Sequence, residues 1–228
     1  MQKIQDYIKL FWINLLVSCR GVRDYLATAF LYYSNFQFCK IDHYLFFSYL
    51  FDSPFSISKR FLTKTNADEV YAYGETPLST LGDISAKCGI TDQDVVFELG
   101  CGRGRSCFWF NQILGCKVVG IEVISDFVQI AEKIKNTFEL KNIEFRNENM
   151  LESDFNGGTV FYLYGTSFDE SLVTKLVKKL EKMPPGTKVI SVSYPLSDYG
   201  GEGVFEVMRR FPARFTWGVG DVYLQVRK

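Results

Sequence analysis

Asp94-Val-Val-Phe-Glu-Leu-Gly-Cys-Gly-Arg-Gly-Arg105 is the stretch whose reading decides the fold of this 228-residue chain. A short β-branched run enters a glycine-rich turn, and Ser106-Cys-Phe-Trp-Phe-Asn-Gln-Ile-Leu114 continues with the apolar spacing of a helix. This is the opening strand, turn and helix of a nucleotide-binding α/β sheet. Gly100, Gly102 and Gly104 let the backbone turn tightly and let a ligand approach where a Cβ would collide.

The spacing separates two ligand classes. A dinucleotide fingerprint wants a glycine three residues after the second one, for helix packing and pyrophosphate contact, and here that position is Arg105. The order present is Glu-x-Gly-x-Gly-x-Gly, starting at Glu98. A second acid follows: Lys117-Val-Val-Gly-Ile-Glu-Val reads as strand two and ends in Glu122, where such units place the carboxylate that accepts from ribose hydroxyls. The stretch resembles motif I of the class I S-adenosylmethionine (SAM) dependent methyltransferases. That resemblance implies SAM as cofactor, with Glu98 meeting its cationic methionine end.

Composition narrows the partners. With 26 basic and 26 acidic residues the formal charge is zero, so no strong field recruits nucleic acid or an anionic membrane, and nucleic-acid substrates are disfavoured. Six cysteines show no C-x-x-C pair and His43 is the single histidine, so the usual spacing of a zinc site is missing and no metal is expected. Free, buried thiols fit a reducing cytoplasm. Leu10-Phe-Trp-Ile-Asn-Leu-Leu-Val is too short to span a bilayer. Leu16-Val-Ser-Cys19 after Lys3 and Lys9 has the outline of a lipoprotein signal. Asp6 and Asn14 interrupt it, and the helical period continues past Cys19.

Two regions follow from the patterning. Residues 1–70 read as an aromatic-rich helical extension and 71–228 as the SAM-dependent methyltransferase domain. In the first, Ile4, Ile8, Phe11, Trp12, Leu15, Leu16, Cys19, Val22, Leu26 and Phe30 recur at three- and four-residue steps, which predicts one amphipathic helix, or two broken near Gly21. Tyr44-Leu-Phe-Phe-Ser-Tyr-Leu-Phe51 is a second apolar stretch, stopped at Asp52-Ser-Pro54. The rings crowded into residues 30–55 are expected to pack this layer on the catalytic domain; the alternative reading is that part of them receives a substrate or touches a membrane.

In the second region, Thr76 and Pro77 predict a helix leading into strand one, with Thr76 as cap and proline at the first helical position. Helices are expected over residues 124–138 and 171–182, and strands over 142–146, 159–164 and 187–195. A short helix is expected over 203–211, and then a hairpin whose arms, Arg214 to Trp217 and Asp221 to Val226, are joined by Gly218-Val-Gly220. The fold class is a Rossmann-like, mostly parallel seven-stranded sheet with a C-terminal antiparallel hairpin.

Beyond motif I, Tyr73-Gly-Glu-Thr76, Thr91-Asp-Gln-Asp-Val-Val-Phe-Glu-Leu-Gly, Val189-Ile-Ser-Val-Ser-Tyr-Pro, Thr216-Trp-Gly and Val222-Tyr-Leu are similar to the seven-strand, non-SET histone-lysine methyltransferases related to disruptor of telomeric silencing. The resemblance covers roughly residues 70–228. It implies that Glu98 and Gly100 meet the methionine part of SAM and that Tyr73, Glu75 and Thr76 close over it. It further implies that Glu122 holds the ribose, that Asn149 faces the adenine amino group with Met150 on the ring, and that Trp217 and Tyr223 wall a lysine channel. Arg105 contacts the SAM carboxylate or caps the helix start. Tyr164-Gly165-Thr166 stands where the family has Asn-Asn-Phe, and the family's basic nucleosome-binding tail is absent; related small methyltransferases of non-histone lysines carry a similar glycine-bearing segment.

Lysine has a reference pKa of about 10.4, so an enzyme must accept or create its neutral amine. A narrow aromatic channel disfavours the ammonium by desolvation, and Tyr164, Tyr194, Trp217 and Tyr223 are the rings placed there. The expected activity is methyl transfer from SAM to a protein lysine. Two alternatives stay open: a small-molecule acceptor under an aromatic lid, and a catalytically silent interaction protein that keeps the fold.

Overall fold

In the computed structural model the structure describes Trp12 and residues 19–66, 73–166 and 168–228. The predicted first strand is β1 (Val95–Leu99), and around it lie β2 (Lys117–Glu122), β3 (Ile143–Asn147), β4 (Val160–Leu163), β5 (Lys188–Val192), β6 (Phe205–Arg214) and β7 (Val219–Arg227). The seven form one sheet in the order β3-β2-β1-β4-β5-β7-β6. The first five are parallel neighbours, and β7 runs antiparallel between β5 and β6.

Strand alternation sorts the core into two layers. Val96, Val160, Tyr162, Ile190 and Val192 face one side, where Trp109, Phe110 and Phe127 pack on them. Phe97, Leu99, Phe161, Leu163 and Val189 face the other and meet Val173, Leu176, Val177 and Leu180 of a single helix. Both faces are covered, as the continuous apolar strands require. Helices α4 (Leu78–Cys88), α5 (Arg105–Trp109) and α6 (Ser125–Thr137) supply the first layer and α7 (Glu170–Leu180) the second. Beyond Trp109, α5 widens into a π-helical turn, Phe110–Leu114, that ends at Gly115 in the left-handed region. There the Asn111 amide donates to the carbonyls of Cys116 and Lys141 at 3.1 and 3.0 Å.

Residues 19–32 are helical (α1), followed by α2 (Phe36–Ser48) and α3 (Pro54–Lys64). Phe38, Ile41, Leu45, Tyr49 and Ile57 from α2, its C-cap and α3 belong to the same core cluster as the sheet's first layer. Of the two readings, a break near Gly21 is the one absent, because one glycine costs a helix only about 1 kcal/mol. The chain breaks instead before Asn35, whose side chain caps α2 by accepting from the Phe38 amide at 3.0 Å. The expected residues before 19, Trp12 aside, lie outside the described ones.

Four further expectations are corrected. Ser53-Pro54 does not merely stop the preceding run; α2 has already ended at Ser48, and Ser53 caps α3 with Pro54 at its first turn. Thr76 is not the cap of α4, which Pro77 precedes directly; its hydroxyl bonds the Tyr162 phenol at 2.5 Å. The short helix expected over 203–211 is strand β6. Val204 just before it and its Val207, Met208 and Phe211 fall at helical spacing, but pairing with β7 along its whole length overrides that pattern, and a bulge between Val207 and Arg209 absorbs the phase slip. Finally, the hairpin turns at Phe215–Gly218, closed by Phe215 N donating to Gly218 O at 2.7 Å, so Val219 and Gly220 already belong to β7.

Candidate active site

At the carboxyl ends of the parallel strands, where open α/β sheets bind ligands, lies a cavity of about 780 Å3. β1 delivers Glu98 to its floor and runs straight into the glycine turn. Gly104 adopts φ +77°, and a Cβ there would stand 2.5 Å from the Phe145 ring, so this glycine is required by β3 packing as well as by backbone conformation. It is the one member of the glycine trio that does not line the cavity.

Glu98 is 6% exposed. Its oxygens accept from the Ser106 hydroxyl at 2.5 Å and the Cys107 thiol at 3.0 Å. Among the described residues no cation pairs with it, and burial pushes its carboxyl up to about 7, against the lowering effect of those two donors. Glu122 at the end of β2 is equally buried. It accepts from the Gly102 and Ile124 amides at 2.9 and 2.8 Å, and burial raises its pKa too. Two buried carboxylates facing the cavity, neither paired with a cation among the described residues, call for a ligand that brings positive charge and hydroxyl donors.

The loop ahead of α4 covers the glycine turn. Tyr73 donates its hydroxyl to Glu75, and Arg103 grips the same carboxylate with two bonds of 2.6 and 2.8 Å. Burial alone would raise Glu75, but the guanidinium holds it below the usual carboxylate range. Arg103, sitting between the second and third glycines, was not singled out by the sequence; a buried arginine inside a glycine turn has little to do but clamp an acid.

Arg105 lines the cavity, yet its fork is engaged elsewhere. It bonds Asp42 of α2 at 2.7 and 2.8 Å and stands 3.5 Å from Asp24 of α1. Of the two sequence readings, helix capping and ligand contact, neither named this role: Arg105 fastens the helical layer to motif I.

Asn149 and Met150 line the cavity, with Ile121, Ile124 and Phe127. Phe61 and Leu62 of α3, Phe168 and Leu172 also reach the cavity. No motif signalled these.

Of the four rings predicted for the acceptor channel, Tyr164 lines the cavity. Trp217 stands behind it, 46% exposed, and donates its indole N–H to the Tyr164 oxygen at 2.8 Å. Trp217 also stacks on Phe215 with centroids 5.2 Å apart and planes 4° apart. Tyr194 donates to the Gly165 carbonyl at 3.3 Å, so it braces the segment after β4 from outside. Tyr223 does not join them. It pairs with Arg210 across the hairpin, under that guanidinium at 5.6 Å, because strand alternation turns residue 223 away from the cavity.

The residues present fit SAM by chemistry: acids for an ammonium, a sulfonium and a ribose diol, and an apolar slot for a purine. The family model for the histone methylation protein DOT1 matches residues 55–198. A histone-lysine N-methyltransferase specific for H3 lysine 79, from Dictyostelium discoideum, is 29% identical over 120 residues, covering 45% of this chain and 6% of that protein. A protein-lysine N-methyltransferase from Saccharolobus islandicus is 28% identical over 141 residues, covering 59% of this chain and 84% of that one. Among solved structures, an RNA methyltransferase from Salinibacter ruber in complex with S-adenosylhomocysteine superposes with a TM-score of 0.56 at 26% identity, over 67% of this chain and 93% of that one.

Proposed function

The chain belongs to the histone methylation protein DOT1 family, and we propose that it transfers the methyl group of SAM to the side-chain amine of a lysine in a protein. That it is a SAM-dependent methyltransferase rests on the family and on the acid-lined cavity. The acceptor is inferred from one observation above all: Tyr164, backed by Trp217 and Phe215, and Phe168 present rings to the cavity beside Gly165. The two lysine-modifying relatives point the same way.

Bound SAM supplies an electrophilic methyl on a sulfonium. Glu98 would hold the ammonium of its methionine end and Glu122 its ribose hydroxyls, while Asn149 and Met150 would meet the purine. Tyr73, Glu75 and Thr76 would keep water from the face of the site, with the Glu75–Arg103 pair holding their loop in place. The chain's contribution to the acceptor is position and desolvation. Apolar walls at Tyr164 and Phe168 favour the neutral amine, and alignment alone can supply several kcal/mol. No carboxamide stands among Tyr164, Gly165 and Thr166, the residues that follow β4 and line the cavity.

The test is transfer from methyl-tritiated SAM into a lysate, followed by mass spectrometry of the labelled product. Methyl-lysine in a protein is the expected result. Label recovered only in small molecules, in RNA or on another residue type would overturn it.

A further inference from the structure

A second cavity, of about 300 Å3, lies behind the rings of the acceptor side. Phe215 lines it, and the Phe215 ring packs at 5.6 Å on Tyr164, which lines the cofactor cavity. Two rings therefore separate the hollows. The hairpin turn that carries Trp217 contributes Thr216 and Gly218 to the rim of the second one.

The charge around this second hollow is one-sided. Arg20 and Arg23 of α1 and Arg214 at the end of β6 line it, against a single acid, Asp24. That acid is already engaged: it stands 3.5 Å from Arg105 and accepts from the Ser79 hydroxyl at 3.0 Å. Among the described residues neither Arg23 nor Arg214 pairs with a carboxylate, and both are exposed, so an anion can reach them. The frame that carries the arginines is tied together. Arg20 donates to the Thr216 carbonyl at 3.0 Å, and Thr80 of α4 donates its hydroxyl to the Arg214 carbonyl at 2.5 Å. Three guanidinium groups from two distant stretches of chain are thus held around one hollow, where their mutual repulsion is relieved by an anion.

The planar fork of arginine matches a carboxylate or a phosphate. A nucleic acid is held by cations along its length, whereas this chain has no net charge and gathers three arginines at one hollow the size of a side chain. We propose that the hollow binds an acidic side chain of the methyl acceptor, a glutamate or aspartate close in sequence to the methylated lysine. The proposal deepens the lysine reading and rests on it for the acceptor being a protein. An extended acceptor segment advances about 3.3 Å per residue, so with its lysine beside Tyr164 an acid about two to four residues away crosses the two-ring wall to the arginines. The hairpin would then serve both ends of the acceptor, with Trp217 steadying the ring next to the lysine and Arg214 holding the acid.

The experiment is fluorescence anisotropy of short labelled peptides on the whole chain saturated with S-adenosylhomocysteine. One peptide has a central lysine flanked by glutamates, a second has glutamines in their place, and a short single-stranded RNA is the third probe. Each is measured on the wild type and on the double variant Arg23→Gln, Arg214→Gln. Neither residue lines the cofactor cavity, so SAM titration of the variant reports that it is folded. The expected result is salt-sensitive binding of the glutamate peptide at least about tenfold tighter than the glutamine one, a preference that the folded variant loses. Equal binding of the two peptides, binding of neither, or a preference that survives in the variant would overturn the proposal. So would RNA bound more tightly than the glutamate peptide, which would assign the hollow to phosphates. Methyl-tritiated SAM with the same peptides separates the two readings. Lysine labelled equally in both peptides would sink the hollow alone, and a glutamate preference with label that never reaches lysine would sink the lysine reading alone.

Discussion

Arg105 of motif I lays its guanidinium against Asp42 of α2 in two parallel bonds of 2.7 and 2.8 Å, while Tyr33 donates to the same carboxylate at 2.9 Å. The glycine turn that would hold the cofactor is thereby bolted to helices that lie more than sixty residues earlier. Both partners are largely removed from water, so breaking the pair leaves a buried charge without compensation.

Asp42→Ala should accordingly destabilise the fold by about 3–5 kcal/mol and weaken SAM binding along with it. Burial by itself would raise the Asp42 pKa, but Arg105 overrides it and holds the carboxyl below its ordinary value. A lowered pKa gives stability that is present above the unfolded value and lost as pH falls through the folded one. Acid melts should therefore show a wild-type loss below about pH 4 that the variant lacks. Equal melting temperatures at neutral pH would show that the pair carries no stability.

Glu98 carries the opposite sign. Its folded pKa is pushed up to about 7 by burial, so the stability it contributes to the free protein is fully present below the unfolded value and lost as pH rises through about 7. A bound ammonium reverses this by favouring the carboxylate. SAM affinity should fall as pH drops below about 7, by up to about tenfold per unit, and SAM should raise the melting temperature more at pH 8 than at pH 6. Glu98→Gln should melt higher than the wild type without ligand at pH 8 and lose most SAM affinity. Calorimetric titration across pH checks both; a flat wild-type profile would remove Glu98 from the ammonium site.

These two acids mark what was legible in the sequence. Glu98 and Glu122 stand at fixed offsets from a glycine turn and at strand ends, so local pattern placed them correctly in the cavity. Asp42 and Arg105 are sixty-three positions apart, and nothing local told Arg105 which way its fork would point. The parallel strands were readable because each is a short β-branched run buried on both faces. α3 was not, since only Ile57 and Ser58 of it are buried and its start signal, Ser53-Pro54, also reads as a stop. β6 misled because a bulge put its apolar residues at helical spacing. Tyr223 was assigned by resemblance and not by any local pattern, and it lies outside the cavity lining, paired with Arg210 across the hairpin.

Trp217 offers a test of the acceptor side that leaves the cofactor side alone. Its indole holds the Tyr164 hydroxyl, and its ring lies over Gly220, where an added Cβ would stand 2.5 Å from the indole. Trp217→Ala and Gly220→Ala should both lower methyl transfer by on the order of tenfold to a hundredfold, with SAM affinity changed by less than about threefold. Tyr164→Phe keeps the ring and loses the bond, so its rate should fall less than that of Trp217→Ala. If any of these three lost SAM binding in step with activity, the rings would belong to the cofactor site.

Gly104→Ala should show how tightly the glycine turn is specified. The substituted residue would need φ near +77°, unfavourable for any Cβ, and would drive a methyl to within 2.5 Å of the Phe145 ring. Phe145 is buried, and it packs on Phe108 of α5 at 5.1 Å, so it has no open space to retreat into. The two costs act on one residue and should destabilise the protein by roughly 2–4 kcal/mol. Gly157→Ala makes the control. That glycine also has positive φ, +79°, but nothing lies within 4 Å of its Cβ position, so only the backbone cost of about 1 kcal/mol applies. Urea denaturation of the pair separates strain from collision: similar midpoints would mean that Phe145 yields, and a gap of several kcal/mol that β3 and the turn are locked together through that ring.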